Sequence, residues 1–240
     1  ISQVQHSALD VLSRESEILQ NISFLKENYY IDSGLISEFS VFYLFTVWVD
    51  SAPFLKEIRF LKENNFEIKN RINDISKILF KQLLCLHEDG WLHGDIQPDH
   101  ILINSDQLIL IDFGMAQGKD TKVKIPYKGG LVHFNAPEIC TQILKDGYAT
   151  ATIQSELFSV ASVLFYAISG TLLPDYPNDL EKLEWEDLLA IISNCHFKSL
   201  LLIKDLITPQ LFNVLDLCLN NVPNNRPSSV NDLLEILNND

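Results

Sequence analysis

HGDIQPDH at residues 93–100 is the most informative stretch of this 240-residue chain, and IDFG at 111–114 and NAPE at 135–138 follow it. Each segment alone is a weak signal, because short motifs recur by chance and an aspartate often only caps a turn. Their joint order and spacing are specific: Asp95 and Asp112 are 17 positions apart, and the glutamate of the third segment lies 26 positions further on. We therefore interpret the three segments together.

In this order the segments resemble the catalytic loop (HxDxxxxN), the DFG segment and the APE segment of protein kinases. Residues 155–170 resemble the central buried helix of the large kinase lobe, and residues 225–228 resemble the late arginine motif. The resemblance implies an α+β fold with a mostly helical C-terminal lobe at 51–240. A truncated small N-terminal lobe, at 1–50, would consist of one helix plus a few antiparallel strands.

The hydrophobic pattern predicts an arrangement of the same kind. It predicts a helix at 7–22, strands within 28–49, helices at 54–64 and 68–89, hairpin strands within 91–114, an exposed loop at 115–135, and helices from about 152 onward. Asp50 to Pro53 interrupts the pattern, so we expect the boundary between the lobes there. A cleft between two lobes is a common position for a ligand site.

The composition narrows the possible functions. Eighteen basic residues against 32 acidic ones give a net charge of −14 at pH 7, which argues against nucleic acid or anionic lipid as a partner. The nearly apolar run at 39–49 has about half of the roughly 20 residues that a membrane-spanning helix needs. No CxxC pair occurs among the cysteines, Cys85, Cys140, Cys195 and Cys218, which gives no support to a zinc ribbon or a redox pair. Each cysteine lies in an apolar or helical context, so we expect reduced core thiols rather than two disulfides, and a cytoplasmic protein.

By the resemblance, this chain is a Ser/Thr protein kinase that uses ATP and Mg²⁺ and phosphorylates a protein or peptide. Asp95 would orient the acceptor hydroxyl and accept its proton, with His93 bracing the loop and Gln97 beside the transferred phosphate. Asp112 would bind the Mg²⁺ that bridges the ATP phosphates, because a hard cation prefers carboxylate oxygen. The alternative is that both aspartates only cap turns.

The N-terminal lobe would contribute to nucleotide binding. Helix 7–22 resembles the regulatory helix of kinases, with Glu15 at the position of its ion-pairing glutamate. A solvated surface glutamate is the alternative interpretation. The apolar strand before residue 50 resembles the strand that leads into the kinase hinge. This places Thr46 near the gatekeeper position and the backbone of Val47 and Val49 at the adenine.

Several departures from the family pattern concern phosphate and metal binding. Gly34 is the only glycine before Gly90, and no lysine precedes helix 7–22, so the glycine-rich loop and the strand lysine are missing. We expect the first strands to belong to a longer polypeptide. His100 replaces the second metal-binding asparagine, and imidazole is a poor ligand for Mg²⁺. Gln97 replaces a lysine, which removes positive charge near the transferred phosphate.

Other departures concern regulation and the substrate side. Gly94 replaces the arginine with which many kinases bind a phosphorylated loop, so we do not expect activation by loop phosphorylation. Glu156 replaces the aspartate of the central helix, and Leu131 replaces a threonine of the substrate-side loop. Glu138 and Arg226 are expected to form a buried ion pair that ties this loop to the helical body.

Three classes of function therefore stay open. The first is an active Ser/Thr protein kinase, of which the kinase domain of a lanthipeptide synthetase is one version. The second is a pseudokinase, a regulatory or binding module, which the changes at 97 and 100 favour. The third is a small-molecule phosphotransferase, which the HGD sequence favours and the APE-like segment and the late arginine motif oppose.

Overall fold

The computed structural model describes residues 8–39, 41–64, 67–104, 107–118, 121 and 125–239. The N-terminal part contains helices α1 (Ala8–Asn21) and α2 (Ser23–Asn28) and strands β1 (Tyr30–Ile36) and β2 (Val41–Thr46). The larger part contains β3 (Ala52–Pro53), α3 (Phe54–Asn64), α4 (Ile68–Glu88), β4 (Ile101–Asn104), β5 (Gln107–Leu110), α5 (Pro137–Asp146), α6 (Ile153–Ser169), α7 (Trp185–Ser193), α8 (Pro209–Cys218) and α9 (Val230–Asn238).

The N-terminal part is a two-stranded antiparallel sheet beside α1. The strands pair from Tyr30 opposite Thr46 to Ile36 opposite Val41. One face of α1 carries apolar residues at helical spacing, and Ile18 on that face is fully buried. Burial of this face holds α1 in place, since a 14-residue helix is marginal alone in water.

The larger part is built around α6. Thr152 caps this helix, with reciprocal hydrogen bonds to Ser155, and Gly170 ends it in the left-handed conformation that glycine adopts without strain. Most of its side chains are buried, because α3, α8 and the 3₁₀ helix at 200–206 contact it. A small antiparallel sheet has the strand order β3-β4-β5, and its strands β4 and β5 lie in sequence between the catalytic-loop residues and the DFG-like segment.

The predicted fold class is confirmed. The larger part is mostly helical, and the smaller part that precedes it has one long helix, α1, and two antiparallel strands, β1 and β2. Helix 54–64 occurs as predicted. The short helix α2 was not predicted, and it occupies Asn28, where we expected strand. The helix predicted at 7–22 corresponds to α1, and its predicted first residue, Ser7, lies outside the described residues. No helix in the described residues is long and apolar enough to cross a membrane.

Two expectations about burial were wrong. The segment at 115–135 was expected to be an exposed loop, but Ala116, Val132 and Phe134 in it are buried against the core. The cysteines were expected to be core thiols, but Cys85 is exposed on α4. The helical pattern of α4 did not separate its inner face from its outer face at that position, because leucines flank the cysteine on both sides.

Candidate active site

The catalytic-loop residues, 93–100, connect α4 to β4 and contact the DFG-like segment at 111–114. His93 is completely buried, and its ring lies 4.8 Å from that of Phe113. The backbone N–H of Asp95 donates to its Nδ1 at 3.3 Å, so Nε2 carries the proton and donates to the carbonyl of Ile111 at 3.0 Å. Burial lowers the pKa of His93. A neutral His93 therefore joins the two loops, as a bracing residue would.

Glu156 anchors the loop to the central helix. Its side chain is nearly completely buried, and one oxygen accepts from the backbone N–H of Gly94 at 3.1 Å. The other oxygen lies 2.5 Å from Nε2 of His87. The extra methylene of Glu156 thus lets one residue of α6 reach both α4 and the loop.

The glycine in HGD has a local structural reason. Gly94 has a φ of +78°, and a Cβ there would lie 2.4 Å from the carbonyl oxygen of Met115. Its own carbonyl accepts from the Tyr127 hydroxyl at 2.9 Å. A residue with a side chain would be strained at this backbone, so the arginine that many kinases have at the matching position has no place here.

Asp95 has partners on both carboxylate oxygens. Oδ1 accepts from the backbone N–H of Leu131 at 2.7 Å, and Oδ2 accepts from the side-chain amide of Gln97 at 3.0 Å. Gly130 permits the first contact, because a Cβ there would lie 2.2 Å from Oδ1. The side chain of Asp95 is still 15% exposed. Its orientation is fixed while an incoming hydroxyl can reach it.

Asp112 lies at the opening of the site. Its side chain is 54% exposed and its backbone is left-handed, with a φ of +64°. Oδ2 is 3.4 Å from Nε2 of His100, whose Nδ1 lies 2.9 Å from the carbonyl oxygen of Asp95. The His100 ring thus connects the two aspartates that the sequence singled out.

These residues fit a metal only in part. No cluster of three or more His, Cys, Asp or Glu side chains in the described residues could hold a metal ion. Asp112 and His100 nevertheless bring an oxygen and a nitrogen to within 3.4 Å of each other. A metal bound there needs further ligands, and phosphate oxygens and water are the usual ones for Mg²⁺.

Helix α1 contacts the DFG-like segment through two neighbouring side chains. Glu15 accepts from the backbone N–H of Phe113 at 3.3 Å. Its partial burial, and then the nearby Asp112, raise the pKa of this carboxyl. Arg14 is buried and donates to the carbonyls of Gly114 and Ala116, both at 2.5 Å. Glu15 is therefore at the site, rather than a solvated surface residue.

The hinge positions are less closely tied to the two aspartates. Thr46 ends β2, and the backbone N–H of Val47 donates to the carbonyl of Tyr29 at 2.8 Å. Val47 and Val49 line a cavity of about 650 Å³ between α2, α4 and β5, but neither Asp95 nor Asp112 lines it. Adenine binding at the hinge therefore stays a prediction.

The expected pair of Glu138 and Arg226 is confirmed. The Arg226 side chain is fully buried and donates to both oxygens of Glu138, at 2.7 and 3.0 Å. It also donates to the carbonyls of Asn220 and Gln154, and it lies 4.8 Å from the Phe158 ring centre. This pair joins the start of α5 to the chain before α9.

Sequence reasoning missed three contributors to the site. Arg14 gave a usable signal, because it lies four positions before Ile18 and so on the buried face of α1. His87 gave none, since its partner is 69 positions away. The contact of Leu131 with Asp95 uses the backbone N–H, which any residue other than proline supplies.

An α+β fold with an aspartate-based site between a small sheet and a helical body defines a phosphotransferase of the kinase type. The chain matches the protein kinase domain across residues 2–239, so it belongs to the protein kinase family.

Similar proteins carry the same designation. The chain is 30% identical over 104 residues to the putative serine/threonine-protein kinase R436 of Acanthamoeba polyphaga mimivirus, covering 42% of this chain and 36% of that protein. It is 30% identical over 142 residues to the serine/threonine-protein kinase US3 homolog of equine herpesvirus 1 (strain Ab4p), covering 58% and 34%. It is 24% identical over 227 residues to the serine/threonine-protein kinase chk-2 of Caenorhabditis elegans, covering 91% and 44%. The matched regions span less than half of each relative.

Proposed function

We propose that this protein transfers the γ-phosphoryl group of ATP to serine or threonine hydroxyls of a protein or peptide. The observation that carries the proposal is the position of the His100 ring between the two carboxylates, with Nδ1 3.5 Å from Oδ2 of Asp95 and Nε2 3.4 Å from Oδ2 of Asp112. Turn-capping aspartates would not need a common partner. The family match supports phosphoryl transfer to protein, and the names of the relatives support serine and threonine as acceptors.

The roles follow from the contacts of each carboxylate. The acceptor oxygen attacks the γ-phosphorus, the bond to the β–γ bridging oxygen breaks, ADP leaves, and the hydroxyl proton passes to Asp95. Leu131 and Gln97 hold that carboxylate in one orientation, which matters because a misplaced base loses most of its effect. Asp112 would hold Mg²⁺, which neutralises phosphate charge when bound.

The positive charge at the site is low. Gln97 occupies the position at which many kinases have a lysine, and its neutral amide contacts Asp95. A neutral donor stabilises the charge that develops on the phosphoryl oxygens less than an ammonium does. We therefore expect a slow kinase rather than an inactive protein, because Asp95 and Asp112, the proposed base and the proposed metal ligand, lie on either side of His100.

The pseudokinase alternative depends on the missing strand lysine. The described residues supply no lysine partner for Glu15. The sheet of β1 and β2 also exposes Ile31, Leu35 and Phe45, each more than half accessible. Two strands alone are marginally stable, so we propose that further strands of a longer polypeptide cover this sheet and carry the lysine. Without such strands, the site would serve binding rather than transfer.

The test is phosphoryl transfer by the full-length protein from ATP labelled at the γ-phosphate. The acceptors are the protein itself and a generic basic protein, and the labelled products are hydrolysed to phosphoamino acids. We expect phosphoserine or phosphothreonine, lost in Asp112→Asn. No transfer by a folded protein that binds ATP would favour the pseudokinase, and label only on residues other than serine and threonine would contradict the proposed acceptors.

A further inference from the structure

Arg14 is a buried charged residue to which the proposed function assigns no role. It lies on the face of α1 that also carries Ile18, and it is only 4% exposed. The two terminal nitrogens of its guanidinium donate to the carbonyls of Gly114 and Ala116, each at 2.5 Å. An apolar side chain would fill a buried space at a lower desolvation cost. The reason for the charge therefore lies in the two carbonyls that it binds.

These carbonyls belong to a tight turn that follows Asp112. The backbone N–H of Ala116 donates to the carbonyl of Phe113 at 3.0 Å and closes this turn. Gly114 and Ala116 are both buried, so their carbonyls need a donor from the protein itself. Arg14 is the donor for both, and its planar, forked guanidinium holds the two carbonyls in a fixed relation to each other.

Other backbone groups of the turn also have partners within the chain. The side-chain amide of Gln117 donates to the carbonyl of Met115 at 2.8 Å. On α1, Glu15 accepts from the backbone N–H of Phe113 at 3.3 Å. The helix thus holds the turn through one N–H, by way of Glu15, and through two carbonyls, by way of Arg14. All of these contacts are made by groups of the chain itself, without a phosphate.

The conformation of Asp112 shows why the turn needs to be held. Its φ of +64° is left-handed, and a residue with a side chain adopts this conformation only at a cost in free energy. Such a backbone persists where the surrounding contacts fix it. The turn begins at the next residue, so Arg14 and Glu15 fix the backbone on the C-terminal side of Asp112. The direction of the Asp112 carboxylate therefore depends on α1.

We propose that Arg14 is a positioning residue of the kinase site, which fixes the turn after Asp112 so that the site does not depend on phosphorylation of the loop at 115–135. The proposal rests on the proposed function, because it concerns the regulation of phosphoryl transfer at that site. Gly94 supports it independently. A Cβ there would lie 2.4 Å from the carbonyl oxygen of Met115, so the catalytic loop has no room for an arginine that binds a loop phosphate. Arg14 supplies the positive group from α1 instead.

The first test measures amide hydrogen exchange in the full-length protein and needs no catalysis. The segment 112–118 is compared in the unchanged protein, Arg14→Met, Arg14→Lys and Arg59→Met; Arg59 is exposed on α3 and is the matched control. Arg14→Met should speed exchange in this segment about tenfold or more, because two buried carbonyls lose their donor. Arg14→Lys should have an intermediate effect, since an ammonium keeps the charge but lacks the fork. Arg59→Met should change nothing, and exchange in α6 should be equal in all four proteins.

The second test measures phosphoryl transfer by the same proteins at saturating ATP. Arg14→Met should lower kcat about tenfold or more and leave KM for the protein substrate unchanged, because it misplaces Asp112 rather than the substrate. A purely structural residue would lower the melting temperature and leave kcat of the folded protein unchanged.

A third measurement uses the unchanged protein, treated with a phosphatase until mass spectrometry detects no phosphate on the loop. Its kcat and the exchange of the segment 112–118 should stay as they were before treatment. This measurement needs no substitution, so it tests the proposal even if Arg14→Met fails to fold.

The contrary results differ in what they overturn. Equal exchange and equal kcat in Arg14→Met and the unchanged protein would contradict the positioning role and leave the proposed kinase function intact. A loss of kcat after phosphatase treatment would contradict independence from loop phosphorylation. Failure of the folded, unchanged full-length protein to transfer phosphate would contradict both proposals.

Discussion

Replacing Glu156 by alanine should damage both the stability of the protein and its catalytic loop. The carboxylate accepts from Gly94 at 3.1 Å and contacts His87 at 2.5 Å, with the side chain almost fully buried. Alanine leaves a backbone N–H and an imidazole without this partner in a buried region. Such groups are costly when stranded, because no water replaces the lost acceptor.

The magnitude follows from the two contacts. Each hydrogen bond to a charged group contributes about 1.5–3 kcal/mol, so Glu156→Ala should lose about 3–6 kcal/mol of unfolding free energy. For a chain of this size, that lowers the melting temperature by roughly 6–24 °C. Gly94 precedes the proposed base directly, and a shift of about 1 Å in such a group costs about a hundredfold in rate.

The assay combines thermal unfolding with the phosphoryl-transfer rate, and the rate is measured at about 25 °C or below. Glu156→Gln should lose only about 1 kcal/mol, because its amide still accepts from Gly94 and can donate to His87. Ser162→Ala is the matched control on the same helix: its buried hydroxyl has no partner, so its removal should be neutral or stabilising. A change below about 1 kcal/mol for Glu156→Ala, with an unchanged rate, would refute the anchoring role.

Three further predictions concern other contacts of the site. Glu15→Gln should raise the melting temperature at pH 7 and lower the transfer rate; because burial raises the pKa of Glu15, the ionised form destabilises the fold, and the gain should disappear as pH falls towards the ordinary value of 4.5. If Glu15→Gln and the unchanged protein had equal melting temperatures across that pH range, the destabilising role of the ionised carboxyl would be contradicted. Gly130→Ala should lower kcat at least tenfold in a folded protein, because its Cβ would displace Asp95; full activity would show that the loop moves away freely. Arg226→Met should cost about 3–5 kcal/mol in chemical unfolding by leaving Glu138 without its partner, and a loss below 1 kcal/mol would mean that water satisfies the carboxylate.

The sequence was sufficient for the fold class because the helices have clear apolar faces. The periodicity of α3 and α4 located both helices to within a residue or so. The short α2 was missed because six residues carry too little periodicity to separate a helix from a strand. The loop at 115–135 appeared exposed from its lysines and glycines, although its scattered apolar residues reach the core.

Site residues could be predicted from the sequence only where the side chain itself takes part in the chemistry. Asp95 and Asp112 were singled out because they occupy the aspartate positions of the kinase-like motifs, and His100 because it replaces the asparagine of the catalytic loop. The contact of Leu131 was not predictable, since it is made by the backbone and depends on the close approach of Gly130. Such contacts depend on the relative positions of segments that are 36 residues apart, which local patterns do not encode.

The most direct test of the account is a single-turnover measurement of phosphoryl transfer with Asp95→Asn. The matched control is Asp74→Asn, an exposed aspartate on α4. With saturating nucleotide and metal, we predict that Asp95→Asn slows transfer by about 10²–10⁴ while nucleotide affinity stays unchanged, and that Asp74→Asn behaves as the unchanged protein does. Equal transfer rates in all three proteins would contradict the assignment of Asp95 as the base.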